Sequence, residues 1–162
     1  MYYFLKLFFF VFFFNNLFAE VLVHDFKKYK VVSEKFKLNE VVKGLNYPWG
    51  LTFIDEENLL VTEKNGGLLK ININSKKVTK VKHEINSIPF DGRDQGGLLD
   101  VLYDNGFLYF SYSHQFEETK TSKKKLYSTA IARGKLFDDE IKNLEFLLLG
   151  KPKLSRNIHW GS

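Results

Sequence analysis

Residues 51–83, LTFIDEENLLVTEKNGGLLKININSKKVTKVKH, decide the fold of this chain. Short runs of apolar and β-branched residues alternate here with clusters of Asn, Asp, Gly, Ser and Lys. Strand-length runs separated by such clusters are typical of a meander of antiparallel hairpins. In one cluster, Asn65-Gly66-Gly67 supplies residues that accept the positive φ of a tight turn. No sustained helical period with caps is present, so the pattern predicts an all-β domain.

The same four-strand pattern returns further along the chain, as LLDVLY, FLYFSYS, STAIARGKLF and LEFLLLG. Leu51 opens the first set and Leu98 opens the second, which is a step of 47 residues. Four strands in about every 40 to 50 residues are typical of a β-propeller, in which each set forms one blade. A plain antiparallel sandwich is the alternative that the pattern leaves open.

Two blades cannot close a propeller ring. Closure protects the strand edges, and even the smallest propeller has about four blades. The chain stops at Ser162, within the segment that would lead into a third set. We therefore expect residues 20–162 to be an incomplete β-propeller domain that is truncated at its C-terminus and inactive alone.

The first residues have the layout of a secretory signal peptide. MYYFLKLFFFVFFFNNLFAE carries one cation, Lys6, before the apolar run Leu7–Phe14, and the small residue Ala19 ends the segment. The run is too short for a membrane-spanning helix, which needs roughly 20 apolar residues. We expect residues 1–19 to be removed, leaving a periplasmic or secreted protein without a membrane span. Because Leu17 is large for a position so near the cleavage point, an uncleaved tether is the alternative.

The composition excludes several chemistries. Without cysteine, the chain has no disulfide framework, no thiolate nucleophile and no cysteine-based zinc site. Part of the net charge of +5 lies at Lys123–Lys125, in a polar stretch that is typical of a solvated loop. The sequence does not favour nucleic-acid binding, because it has neither a basic helix nor aromatic residues between those lysines. No segment has the spacing of a calcium-binding loop.

A leading segment precedes the first strand of each predicted set. The three leading segments are NYPWG at 46–50, RDQGG at 93–97 and NIHWGS at 157–162. In a propeller the first strand of each blade is innermost, so its leading segment crosses one face of the ring beside the central channel. We therefore expect Trp49, Gln95 and His159 to converge at one mouth of the channel, where such folds bind ligands.

Several motifs, taken in order and spacing, resemble those of a known family: YPWGLTF, LLVTEKNGGLL, DQGGLLDV, LYFSYS, TAIARGKL and IHWGS. From about Leu38 to Ser162 the chain resembles the N-terminal part of the soluble aldose sugar dehydrogenases of the glucose/sorbosone dehydrogenase family. These proteins are six-bladed β-propellers that use pyrroloquinoline quinone (PQQ). The resemblance implies the first two blades of such a propeller and the beginning of the third.

The resemblance also implies a reaction and the residues that perform it. Members of the family oxidise aldose sugars at the anomeric C–OH to lactones, transfer hydride to PQQ and pass electrons to an external acceptor. His159 matches the general base that takes the hydroxyl proton, a task that suits an imidazole with a pKa near 6.5. Gln95 matches a substrate-contacting glutamine, whose amide both donates to and accepts from sugar hydroxyls.

PQQ and calcium are the cofactors that the resemblance implies, and their ligands are expected mostly downstream of Ser162. In the glucose-specific branch of the family, the residue before the histidine is an aspartate that also contacts substrate. This chain has Ile158 there, as is common in the aldose branch.

Other interpretations stay open at this point. The fold also occurs in non-catalytic propellers that bind a partner on the channel face and in calcium-dependent lactonase-like hydrolases. Without the resemblance, His159 would be a half-buried polar residue and Gln95 a turn residue. Trp49, which follows Pro48, is expected to be a packing residue, and the alternative is that it forms the floor of the channel. The remaining histidines, which are expected to be solvated, are His24, His83 and His114.

Overall fold

The computed structural model describes residues 39–155, apart from Pro89, Asp91, Asp94 and residues 117–124. The described residues from Glu40 onward belong to one compact unit. In these ranges the chain forms eight β-strands, and no helix there is long and apolar enough to cross a membrane. The predicted signal peptide at 1–19 lies outside the described residues.

The first sheet is an antiparallel meander whose four strands are β1 Pro48–Phe53, β2 Asn58–Glu63, β3 Leu68–Asn72 and β4 Val78–Lys80. Polar side chains shape its turns. Before β2, Asp55 Oδ1 accepts the backbone N–H groups of Glu57 and Asn58 at 2.8 and 2.7 Å. Between β2 and β3, Gly66 has a φ of 96°, a value that glycine accepts readily. The predicted turn at 65–67 is thereby confirmed.

The second sheet repeats this order with the strands β5 Leu98–Asp104, β6 Phe107–Phe116, β7 Leu126–Phe137 and β8 Glu140–Leu149. Asn105 and Gly106 alone connect β5 to β6, with φ values of 48° and 80°. Positive φ at both central positions matches the twist of two strands joined by a two-residue hairpin. Both predicted sets of four strands therefore form one sheet each.

The first strands of the two sheets are neighbours. The backbone N–H of Tyr103 in β5 donates to Oγ1 of Thr52 in β1 at 3.1 Å. Away from these strands, Lys82 exchanges backbone hydrogen bonds with the hairpin between β7 and β8. Its N–H donates to Asp139 O and its carbonyl accepts from Ile141 N–H, both at 2.8 Å. The sheets thus adjoin first strand to first strand, as propeller blades do around a shared axis.

The main hydrophobic core lies between the sheets. Leu60 and Leu68 of the first sheet belong to one buried cluster with alternate residues of β6 and β7, since side chains of a strand alternate between its faces. The buried members are Leu60, Leu68, Val81, Ile85, Leu98, Val101, Leu108, Phe110, Tyr112, Ala130, Ala132 and Ile141.

A second apolar cluster covers the other face of the first sheet. It consists of Val61, Leu69 and Ile71, with Val41, Val42, Leu45 and Leu59 packed against it. Because β2 is covered on both faces, its residues Leu59-Leu60-Val61 form a continuous apolar run instead of alternating with polar residues.

Candidate functional site

Lys64, the first residue after β2, joins two leading segments through its backbone. Its N–H donates to the carbonyl of Tyr47, in the segment 46–50, at 3.0 Å. Its carbonyl accepts the N–H of Leu98, directly after the segment 93–97, at 3.3 Å. These two leading segments therefore lie side by side at the end of β2.

Glycine is required where the leading segments touch the sheets. Gly97 has a φ of 139°, and a Cβ at this position would lie 2.1 Å from the carbonyl oxygen of Lys64. At Gly50, a Cβ would lie 2.5 Å from Oδ1 and 2.8 Å from Cα of Asp100. Real Cβ atoms essentially never come within 3.0 Å of other heavy atoms. A side chain at either position would therefore push the backbone segments apart.

Two buried hydroxyl groups hold these glycines in place. Thr62 Oγ1 accepts the N–H of Gly50 at 2.9 Å and donates to the carbonyl of Leu99 in β5. Ser113 Oγ, in β6, accepts the N–H of Gly97 at 2.5 Å, and the Ser113 N–H donates to the Gly97 carbonyl at 3.0 Å. Both side chains are fully buried, where unpaired backbone groups would be costly. The ends of both leading segments are thus fixed by the strands.

The Lys64 side chain is enclosed, although lysine is usually exposed. Only 8% of its surface is accessible. Its Nζ lies 4.0 Å from the ring centroid of Phe90 and 4.8 Å from that of Trp49. Tyr47 packs edge-on against Phe90, with 4.9 Å between the ring centroids. We call Lys64, Tyr47, Trp49 and Phe90 the lysine cluster, in which the ammonium is attracted to the aromatic faces.

The described residues include two of the three residues predicted to converge. Trp49 is 51% exposed, and its ring faces the Lys64 ammonium at 4.8 Å, so it is packed on one side only. Gln95 is exposed and stands two residues before Gly97, within the segment joined to Lys64. His159 lies outside the described residues, and its convergence with Trp49 and Gln95 stays a prediction.

Sequence reasoning missed Lys64. In LLVTEKNGG it stands between a strand and a glycine turn, where a lysine is ordinarily solvated. The available signal was a pair of aromatic residues, Trp49 at the start of β1 and Phe90 in the connection that leads to β5. Only the tertiary structure brings both rings to the end of β2.

The expectation that His83 and His114 are solvated is wrong. His83 Nδ1 accepts the N–H of Ile85 at 3.2 Å, so Nε2 carries the proton and donates to Gly66 O at 2.9 Å. Burial lowers the pKa of His83 despite the hydrogen bond to Gly66. The His114 ring packs edge-on against Phe116 at 4.8 Å, and burial, followed by the charge of Lys153, lowers its pKa. Neither histidine belongs to the leading segments.

In the described ranges, no group of three or more His, Cys, Asp or Glu residues is placed to hold a metal ion. PQQ is a polyanion, and the ammonium of the buried Lys64 lies against the rings of Phe90 and Trp49. These contacts alone do not identify a PQQ site among the described residues.

Consecutive four-stranded antiparallel sheets that adjoin through their first strands define this chain as part of a β-propeller. The sequence model of the family described as Glucose / Sorbosone dehydrogenase matches residues 45–162. The chain belongs to the glucose/sorbosone dehydrogenase family. The family predicted from the sequence motifs is thereby confirmed.

The names of several similar proteins agree with this family. The chain is 29% identical to the aldose sugar dehydrogenase YliI of Escherichia coli (strain K12), over 72% of this chain and 31% of that protein. It is 28% identical to quinoprotein glucose dehydrogenase B of Acinetobacter calcoaceticus, over 85% of this chain and 30% of that protein. A crystal structure of glucose dehydrogenase superposes with a TM-score of 0.60 at 26% identity, covering 72% of this chain and 33% of that one. The chain thus spans about a third or less of the length of these relatives.

Proposed function

We propose that the full-length protein is an exported, PQQ-dependent aldose sugar dehydrogenase that oxidises the anomeric C–OH of aldoses to lactones. The observation that carries the proposal is the family match over residues 45–162, which spans all three leading segments. The names of the relatives, an aldose sugar dehydrogenase and a quinoprotein glucose dehydrogenase, support this substrate class and this cofactor.

His159 is proposed to be the general base. Oxidation of a cyclic aldose to its lactone removes the hydroxyl proton and the hydrogen on the anomeric carbon, the latter as hydride. His159 takes the proton, which prevents an oxocarbenium-like centre from building up as the hydride leaves. The ordinary pKa of imidazole, near 6.5, lets the neutral ring accept that proton near neutral pH. PQQ, when bound, supplies the hydride acceptor.

Gln95 is proposed to bind the sugar. Its side chain is exposed on the segment 93–97, and its amide can donate to one sugar hydroxyl and accept from another. Both backbone polar groups of Gly97, two residues on, are paired with Ser113. The amide is therefore presented from an anchored segment, which reduces the ordering that substrate binding requires.

The remaining parts of the proposal concern the full-length protein. PQQ and calcium are expected to bind mainly through residues downstream of Ser162, and an external acceptor is expected to take the electrons. Residues 1–19 are proposed to direct export to the periplasm or the medium. Residues 20–162 alone are expected to show no sugar oxidation, because two blades cannot close a propeller ring.

Reconstitution of the full-length protein tests the proposed function. The apo protein is titrated with PQQ in the presence of calcium, and an aldose is then added without oxygen. We expect saturable PQQ binding and loss of the oxidised-quinone absorbance, with one lactone formed for each quinone reduced. Apo protein with calcium but without PQQ is the control. Failure to bind PQQ contradicts the proposal, and lactone hydrolysis by the apo protein would favour a lactonase-like enzyme instead.

A further inference from the structure

Lys64 is an enclosed cation that the proposed reaction does not use. With 8% of its surface accessible, this residue has lost most of its contact with water. Such a transfer costs free energy unless other groups compensate for it. The faces of Phe90 and Trp49, at 4.0 and 4.8 Å from Nζ, provide part of that compensation. The charge therefore takes part in contacts that an apolar side chain of similar size would not make.

Lys64 contacts the chain on both sides of Gln95. Phe90, which lies under Nζ, precedes Gln95, and Leu98, whose N–H reaches the Lys64 carbonyl at 3.3 Å, follows it. The same ammonium lies over Trp49, in the segment 46–50. One residue therefore anchors the stretch that carries Gln95 at two points and ties it to the first leading segment.

We propose that Lys64 is a positioning residue for sugar recognition: its ammonium holds Trp49 and Phe90 together and so fixes the Gln95 amide relative to the first leading segment. This inference rests on the proposed function of Gln95. In this role Lys64 acts through Trp49 and Phe90, the rings that its Nζ contacts, and not through the sugar itself. Loss of its charge should therefore change which aldose is preferred, instead of lowering all rates alike.

Hydrogen exchange tests the positioning without any reference to activity. Lys64→Met keeps the length of the side chain and removes its charge, and exchange is followed by mass spectrometry in the full-length protein. We expect the amides of residues 92–98 to exchange roughly 2- to 30-fold faster, the range that ammonium–aromatic contacts correspond to. Exchange in β7 should stay unchanged. Lys80→Met, at an exposed position of β4, is the matched control and should behave like the parent.

Two results of the exchange experiment would overturn the inference. The first is equal protection of residues 92–98 in the parent and in Lys64→Met. The second is a uniform rise of exchange across both sheets, because this would assign Lys64 to general stability.

Relative kcat/KM values for an aldohexose and an aldopentose test the consequence for recognition. Lys64→Met should change their ratio by roughly 2- to 30-fold. Lys64→Arg keeps a cation over the rings and should restore the parent ratio. In the double variant with Gln95→Ala, the ratio should equal that of Gln95→Ala alone, because residues acting through one contact are not additive. Additive effects, or an equal loss for every aldose, would overturn the positioning role.

Phe90→Leu keeps the inference testable if Lys64→Met does not fold. It removes the nearer ring and leaves the ammonium over Trp49, so exchange and sugar ratio should change in the direction expected for Lys64→Met. Unchanged values in a folded Phe90→Leu variant would overturn the inference. If the full-length protein oxidises no aldose, the proposed function fails, while the exchange of residues 92–98 still decides whether Lys64 positions this segment.

Discussion

Replacing Gly97 with alanine would add a methyl group where the backbone leaves no room. The new Cβ would lie 2.1 Å from the carbonyl oxygen of Lys64, and 2.9 and 3.0 Å from its carbonyl carbon and Cα. These are backbone atoms, which cannot rotate away as a side chain can. The segment must move instead, which would weaken its hydrogen bonds to Lys64 and Ser113. The φ of 139° adds strain for any residue with a side chain.

The size of the effect follows from two contributions. Backbone strain at such a φ costs about 1–3 kcal/mol, and overpacking against fixed neighbours costs about 1–3 kcal/mol. We therefore expect Gly97→Ala to lower the free energy of unfolding by about 2–6 kcal/mol, a large share of the usual total of about 5–15 kcal/mol. Gly106→Ala is the matched control, since its φ is 80° but nothing lies within 4 Å of the new Cβ.

Urea unfolding of the full-length protein, followed by circular dichroism, measures both variants. Both variants carry backbone strain. The difference between their losses in free energy of unfolding therefore measures the contact of the new Cβ with Lys64. Equal losses for Gly97→Ala and Gly106→Ala would refute the close approach of the second leading segment to Lys64.

Three further predictions concern buried polar groups and the sugar. Thr62→Val should cost about 1–3 kcal/mol in urea unfolding, because two buried backbone groups lose their partner. The free energy of unfolding should fall as the pH drops below about 6.5, since burial lowers the pKa of His83 and the unfolded chain then binds more protons. For this one group, the slope of the free energy of unfolding against pH is at most about 1.4 kcal/mol per pH unit. His83→Gln should reduce that slope. Gln95→Ala should change the relative kcat/KM among aldoses by about 1–3 kcal/mol and leave the PQQ affinity unchanged.

Each of these predictions has an outcome that contradicts it. Thr79→Val, at a half-buried position of β4, is the control for Thr62→Val. Equal losses in free energy of unfolding would mean that the Thr62 hydroxyl does not bridge Gly50 and Leu99. If the free energy of unfolding depends on pH equally in the parent and in His83→Gln, His83 does not contribute to that dependence. Equal losses for all sugars, together with weaker PQQ binding, would assign Gln95 to the cofactor site or to the structure.

Turn chemistry explains why the four-strand repeat could be predicted. Asn65-Gly66-Gly67 and Asn105-Gly106 specify their turns through their own φ preferences, without help from distant residues. The ends of the strands were predicted less accurately than their number and order. β1 begins at Pro48, ahead of the predicted Leu51, because Pro48 pairs with Glu63 across an irregular register that no local pattern indicates.

The hairpin between β7 and β8 shows the same limit. The polar residues of DDEIKN, at 138–143, favour a turn between STAIARGKLF and LEFLLLG, but only Asp138 and Asp139 connect the strands. β8 begins at Glu140, and Ile141 is buried in the core between the sheets. Burial of one side chain against the other sheet outweighed the local preference of its polar neighbours.

The candidate site depended on the family motifs and on contacts between distant parts of the chain. Gln95 could be singled out because DQGGLLDV matches the family, and Gly97, the second glycine of this motif, closely approaches Lys64. Lys64 could not be singled out, since its partners Trp49 and Phe90 are far apart in the sequence and meet only in the folded chain. His83 was misjudged for the same reason, because Gly66, which accepts its hydrogen bond, lies in another turn.

The proposed activity depends most directly on His159, and His159→Gln tests it. Glutamine has a similar size and forms hydrogen bonds, but it cannot accept a proton near neutral pH. The full-length variant, loaded with PQQ, is mixed rapidly with an aldose, and reduction of the quinone is followed by absorbance. We expect this step to slow by about 10²- to 10⁴-fold, with PQQ affinity and Tm close to those of the parent. The parent rate should also fall as the pH drops below the pKa of the histidine, and the variant rate should not. A folded, PQQ-bound variant that reduces the quinone within about threefold of the parent rate would contradict a general-base role for His159.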